Sequence, residues 1–391
     1  MNKLKAIAKT AMGETLLRTG IWERYLTSMA RRGAALVLTY HRVIEKWDRT
    51  LDYSQPGLVV TADTFHRQLQ FLRRYFDIVP LSSLISDFEF RISKCSDFRD
   101  AQSANPQSAI RNPQSSLNSP LSTLSRPFCS ITFDDGWRDN YEIAFPILQK
   151  HGVPATVFLT TDFIGTNRAF WHTELMYLLM HGELSRFKLT QYVLDPYPTP
   201  VRLGLMRLAH MEQAPDAHDV DPLIEAVKAT CDEPTTDQLI GDVGNALGVR
   251  RPLFPDRSFF LDWGQVTEMA GAGIEMGSHG CTHRILTRIK LQDAGNELVR
   301  SKAEIERHTG QEVKHFAFPD GAANRDLMAF VEKARYRTAC LCRTVPTDER
   351  FGTLALQRVG MHEGVSGGGN RSFMESGLGL WLFRAPSMRR G

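Results

Sequence analysis

Four side chains in this 391-residue chain have the types and spacing to hold a cation and run acid–base chemistry beside it. Asp134 and Asp135 follow an apolar run, Phe128 to Phe133 (FCSITF), and precede Gly136. Two adjacent carboxylates ending an apolar strand are costly unless a cation offsets them, although a simple turn or helix start uses the same residues. His279 and His283, in GSHGCTH, stand four apart. In a helix or a tight loop that spacing brings two imidazoles to one side, and neutral imidazole suits zinc and similar ions. One carboxylate with two histidines is a facial set that leaves metal positions open for water and substrate. A second carboxylate beside it can take a proton from that water, while the metal lowers the water's pKa and polarises a carbonyl under attack. HEXXH is absent, which argues against a zincin protease.

The elements that must position these groups alternate. Ala34 to Tyr40 (AALVLTY) suits a buried strand and runs straight into His41-Arg42. Thr61 to Phe76 reads as a helix, with Phe65, Leu69 and Leu72 at helical spacing and Thr61 with Thr64 offering a cap. After Asp134-Asp135 come a helix from about Asn140 to Lys150, closed by Gly152, and a strand over Val153 to Thr160. Asp262 to Ala270 is a helix with Asp262 as N-cap and Gln265 at the reciprocal position. Leu291 to Thr309 is a long amphipathic helix, followed by HFAF at His315 to Phe318 and by Pro319-Asp320-Gly321. A helix over Asn324 to Tyr336, a strand over Thr338 to Leu341 and a last ordered stretch, Leu354 to Met361, complete the pattern.

Such alternation implies a parallel sheet. The polar clusters fall just after strands, at Tyr40-His41, Asp134-Asp135, His279 and Pro319-Asp320. In a βα barrel these positions converge on one rim; an open doubly wound sheet also gathers strand ends, and the barrel is favoured. Residues 1–33 read as an N-terminal helical segment, 34–363 as the barrel domain and 364–391 as a tail. Within the barrel, 93–127 is a Ser-, Asn-, Gln- and Pro-rich insert that repeats NPQS, expected to be disordered. The stretch 168–260 is helical in texture and expected to form an inserted subdomain or lid.

Composition narrows the partners. Lys plus Arg is 47 and Asp plus Glu 44, a net of +3, which does not argue for nucleic acid. Six scattered cysteines without a CxxC pair indicate neither a disulfide framework nor a zinc knot, and suit a reducing compartment. Met1 to Gly33 lacks an uninterrupted apolar core of the secretory kind, so a cytoplasmic protein is expected. Its spread of Lys and Arg allows peripheral contact at the inner membrane face, though a helix packed on the domain is the simpler expectation. Among tryptophans, Trp171 opens the helical insert and could face the cleft, Trp137 lies at the rim, and Trp263 on a capped helix is expected in the core. His41 ends the first strand at the same rim, where substrate contact and a structural hydrogen bond are both open.

TFDDG at Thr132 to Gly136, SHGCTH at Ser278 to His283 and FAFPDG at Phe316 to Gly321 resemble, in order and context, the polysaccharide deacetylase family, also called NodB-homology or carbohydrate esterase family 4. Leu261 to His279 is similar to that family's tryptophan motif running into its His motif, and LTYHRV at Leu38 to Val43 to the opening strand of its exopolysaccharide-associated branch. The resemblance implies an α/β fold, a distorted, incomplete (β/α) barrel, here with a helical insertion. It implies Asp135, His279 and His283 as ligands of a divalent metal, zinc foremost with cobalt or nickel as alternatives, and Asp134 as the general base. It also implies that the backbone N–H after Pro319, that of Asp320, holds the oxyanion, and that a late histidine protonates the leaving amine, with His362 the candidate. The sequence departs from the family at Gly280, where Ser or Thr is usual, in the third motif, which has Ala317 near the place of a frequent Arg, and at Asp320, where Tyr is common. The expected function is hydrolysis of N-acetyl groups from an amino sugar in a polysaccharide or glycolipid precursor by attack of a metal-bound water. The competing readings are O-deacetylation and a non-catalytic carbohydrate-binding or biosynthetic-complex protein on the same fold.

Overall fold

The computed structural model describes residues 2–50, 52–86, 126–182, 195–249, 254, 258–342, 354–366 and 373–385. The low-complexity stretch at 93–127 lies almost wholly outside them.

Eleven strands form among the described residues: β1 (Ala35–Tyr40), β2 (Arg42–Ile44), β3 (Val59–Thr61), β4 (Asp77–Ile78), β5 (Phe128–Phe133), β6 (Thr156–Leu159), β7 (Glu275–Ser278), β8 (His315–Ala317), β9 (Thr338–Leu341), β10 (Ala355–Gln357) and β11 (Val359–Gly360). β2 pairs only with β3. The others make one parallel sheet in the order β10-β9-β8-β7-β6-β5-β1-β11, with β4 added on β5. The sheet's two end strands are therefore consecutive in the chain, separated by Arg358 alone, and this segment joins the ends into a nearly closed barrel.

Side chains alternate across each strand, and the sequence obeys that period. Leu36, Leu38, Cys129, Ile131, Val157 and Leu159 face outward into the main core beneath the helices. Ala35, Val37, Phe158, Ala317, Cys340 and Leu356 face the barrel interior, closed from below by Leu81, Leu84 and Ile85. The interior is tight: a Cβ on Gly277 would lie 2.4 Å from the Phe158 ring, so only glycine fits there.

The helices are α1 (Asn2–Arg18), α2 (Ile21–Arg31), α3 (Ala62–Tyr75), α4 (Phe145–His151), α5 (Trp171–His181), α6 (Thr199–Ala209), α7 (Ala217–Thr230), α8 (Glu233–Leu247), α9 (Trp263–Gly271), α10 (Leu291–Thr309), α11 (Arg325–Lys333) and α12 (Glu375–Arg384). The caps read from sequence form: Thr61 accepts from the Thr64 N–H, and Asp262 and Gln265 make a reciprocal capping box. Helices α5 to α8 bury their apolar faces against one another around Leu175, Leu179, Val220, Ile224 and Leu239, a small core of their own over the barrel mouth. By contrast α1, α2 and α12 contribute Leu16, Trp22, Leu378 and Leu382 to the main core. The residues read as an N-terminal segment and a tail thus pack on the barrel, because both carry apolar stripes that need cover.

Candidate active site

Strand parity delivers the first group of side chains. Asp134 stands two residues beyond Thr132 and His279 two beyond Gly277, so both point into the barrel mouth. Arg358 occupies the interior-facing position between β10 and β11, with its guanidinium carbon 5.4 Å from the Phe158 ring centroid. It donates from Nη1 to Asp134 Oδ1 and from Nη2 to Asp134 Oδ2, each at 2.6 Å. The Thr39 hydroxyl donates to Oδ2 at 3.3 Å, and His41 Nε2 lies 3.8 Å from the same oxygen. Burial pushes the Asp134 carboxyl up, but Arg358, His279 and His41 together pull it below the usual carboxylate range.

Asp135 cannot enter the mouth by parity, since its neighbour already does. It enters through a turn: Asp135 has φ 76° and Gly136 φ 77°, two consecutive left-handed residues. A non-glycine residue there costs on the order of 1 kcal/mol and persists only where its surroundings hold it. The Trp137 indole N–H does so, donating to Asp135 Oδ2 at 2.7 Å. Trp137 is fully buried and lies under the Arg42 guanidinium at 4.8 Å. It presents no face to a sugar, and its work is to orient a carboxylate.

The two histidines come from one loop. His283 is left-handed, with φ 60°, and its ring stacks on Phe170 at 4.1 Å. The loop is strapped by Glu297 of α10. This buried carboxylate accepts from the Cys281 N–H at 2.6 Å, the Thr282 N–H at 2.9 Å and the Thr282 hydroxyl at 2.7 Å. Gly280 is required beneath it: φ is +80°, and a Cβ would lie 3.0 Å from Glu297 Oε2.

Asp135 Oδ1 is buried without an aligned hydrogen bond. It faces His283 Nε2 at 3.1 Å and His279 Nε2 at 3.4 Å. His279 Nδ1 donates to the Ala317 carbonyl at 2.7 Å, which leaves Nε2 facing the carboxylate oxygen. A proton on that nitrogen or a cation between the atoms completes such an arrangement, and a carbonyl behind the imidazole is the usual support of a metal ligand. Two donors about 2.1 Å from one ion stand about 3.0 Å apart at a right angle and about 3.4 Å apart at the tetrahedral angle. The residues present therefore fit a divalent cation, with one oxygen and two nitrogen donors. Burial pushes the Asp135 carboxyl up, yet the two histidines outweigh it and hold it well below its ordinary range.

Asp134, Asp135, His279, His283 and His41 meet at one mouth. Pro319 and Asp320 form a short turn after β8, with Asp320 left-handed at φ 59°. Trp171 begins α5 and packs on the core of the insert, while its neighbour His172 is buried with its ring 6.1 Å from His283. His362 caps a turn, its Nδ1 accepting from the Gly364 N–H at 3.2 Å and its ring 6.0 Å from Trp381. Sequence reading missed Arg358 and Glu297. Both had a signal: an arginine inside the apolar strand Leu354 to Met361, and an acid on the same face of α10 as Ala294, Leu298 and Ile305, since a charge on a buried face demands a partner.

The polysaccharide deacetylase family profile matches residues 122–199 and 225–339. The Bacillus subtilis (strain 168) protein YxkH, which bears a polysaccharide deacetylase name, is 40% identical over 52 residues, 13% of this chain and 19% of that protein. Among solved structures, the Streptococcus pyogenes deacetylase PplD in complex with acetate matches 90% of this chain and 99% of its own at 15% identity and TM-score 0.48. IcaB from Ammonifex degensii matches 90% of this chain and 97% of its own at 14% identity and TM-score 0.46. With the barrel and the motif residues in place, the chain carries a polysaccharide deacetylase domain.

Proposed function

We propose that the protein is a metal-dependent hydrolase that removes N-acetyl groups from an amino sugar of a polysaccharide or glycolipid precursor. The observation that carries this reading is the facing of Asp135 Oδ1 with the Nε2 atoms of His279 and His283 beside a clamped Asp134. Asp135, His279 and His283 would hold the cation, zinc foremost for this donor set. When bound, the cation supplies a lowered water pKa and a polarised substrate carbonyl.

Asp134 acts as the general base. A carboxylate has about four lone-pair sites; Arg358 takes two and the Thr39 hydroxyl a third, which leaves one for the proton of the attacking water. The Arg358 bonds also fix the plane of the carboxylate, so that site points one way. The Asp320 N–H is the donor for the oxyanion. His41 is the titratable side chain beside Asp134 that reaches the mouth, one-fifth exposed. Burial lowers its basicity and the charge of Arg358 lowers it further, against Asp135 and Asp134. A neutral imidazole beside Asp134 can take up the proton that this base removes from the attacking water and pass it to the departing amine. The geometry favours His41 over His362 for this step.

The test is acetate release from acetylated glucosamine oligomers, with and without a chelator, paired with metal content. Loss of metal in His279→Ala, and retained metal with abolished turnover in Asp134→Asn, are expected. Oligomer binding without acetate release by metal-loaded wild type overturns the reading.

A further inference from the structure

Helices α1, α2 and α12 carry an exposed apolar face that deacetylation does not use. They pack as one unit: the Tyr25 hydroxyl donates to the Leu382 carbonyl at 3.3 Å, the Tyr25 and Phe383 rings lie 4.9 Å apart, and Arg384 touches the Met12 sulfur at 3.1 Å. Leu378, Leu380 and Leu382 of α12 are buried in the main core. Trp381, Phe383 and Arg384 of its last turn are exposed, Phe383 and Arg384 on the flank of Tyr25 and Met12 and Trp381 on the flank of Gly360. Ile21 lies one helical turn from Tyr25, on the same side of α2. Met12, Ile21, Trp381 and Phe383 are 50%, 43%, 36% and 37% exposed, half of the eight exposed large apolar side chains among the described residues. A soluble surface has no reason to gather them on three adjoining helices.

Charge says what covers this face. Residues 1–32 hold Lys3, Lys5, Lys9, Arg18, Arg24, Arg31 and Arg32 against Glu14 and Glu23, a local excess of five in a chain whose net charge is +3. A second copy of the chain would bring the same excess and be repelled. An anionic lipid surface attracts it, and aromatic side chains beside an arginine sit well at the headgroup boundary. No helix among the described residues is long and apolar enough to cross a membrane, so contact is at the surface. The face also adjoins the barrel mouth: the Trp381 indole N–H donates to the Gly360 carbonyl at 3.1 Å, at the end of β11.

We propose that the α1–α2–α12 face docks the protein peripherally on an anionic bilayer, with Trp381 and Phe383 inserted among the headgroups and the barrel mouth beside the lipid surface. The experiment is co-sedimentation of the full chain with phosphatidylcholine vesicles, with and without phosphatidylglycerol, over a salt series and without substrate. Partition into anionic vesicles is expected to exceed that into neutral ones by about tenfold or more and to weaken as salt rises. Trp381→Ser/Phe383→Ser is expected to lower it about tenfold. Arg24→Glu/Arg31→Glu, at exposed positions, is expected to abolish the preference for anionic lipid with an unchanged circular dichroism spectrum. Equal partition of wild type and both variants overturns the proposal. So does a concentration-dependent wild-type dimer that the aromatic variant loses, which would make a second copy the occupant. Because vesicle binding is read without turnover, it succeeds or fails independently of the deacetylase reading.

Discussion

Arg358 and Asp134 meet through two parallel bonds of 2.6 Å with both side chains essentially out of solvent. The residue that joins the two ends of the barrel is thus the one that clamps the acid at its mouth. Removing one member of a buried pair strands the other charge, at a cost of about 3–5 kcal/mol, whereas replacing both with apolar groups is often near neutral. Arg358→Met is therefore expected to lose about that much in urea unfolding, and Arg358→Met/Asp134→Leu to recover most of it. Additive losses in the double variant would count against a coupled pair.

Trp137→Phe keeps the ring among Phe170 and Phe260 and deletes only the donor to Asp135 Oδ2. Loss of an outer partner of a ligand typically weakens metal binding about 10–100-fold. Competition with a coloured chelator measures it, and affinity equal to wild type would remove Trp137 from the account of the site.

Glu297→Gln replaces an acceptor of three hydrogen bonds with a group that can accept at only one atom. We expect a weaker metal by about tenfold or more and a loss of stability of about 1–3 kcal/mol from the stranded N–H groups. Metal titration and urea unfolding of the metal-free protein read the two effects separately; a stability loss with wild-type metal affinity would mean that the strap holds the fold alone.

His41→Gln and His362→Gln separate the two candidate acids. General acid–base groups contribute about 10²–10⁴-fold. A fall of that size in kcat is expected for His41→Gln and a change within about threefold for His362→Gln, with metal content unchanged in both. The opposite ranking returns the acid role to His362.

His315 gives the fold a defined acid response. Burial pushes its imidazole down to about 4, with Glu275 opposing, while an unfolded histidine titrates near 6.5. The unfolded chain is then the better proton binder, so stability from this group is fully present above about pH 6.5 and is lost as pH falls toward about 4. The loss is roughly 3 kcal/mol at pH 4. Relative to wild type, His315→Gln should gain about that much between pH 7 and pH 4 in chemical unfolding. A pH-independent difference would show that His315 does not titrate in this range.

The residues that meet at the barrel mouth were legible along the chain because their motifs are local. TFDDG needs one strand and one turn, and GSHGCTH one strand end and one loop, so residue type and spacing carry the information. The strand–helix alternation and the caps at Thr61 and Asp262 were legible for the same reason: period and capping are short-range properties. Tertiary structure alone decided which groups hold these motifs in place. Arg358 reaches Asp134 across 224 residues, and Glu297 reaches the His loop only because α10 packs on β7. The ends of the sheet meet only when it curls closed. Strand parity states which way a side chain points, but which distant charge stands opposite it is set by sheet order and barrel closure.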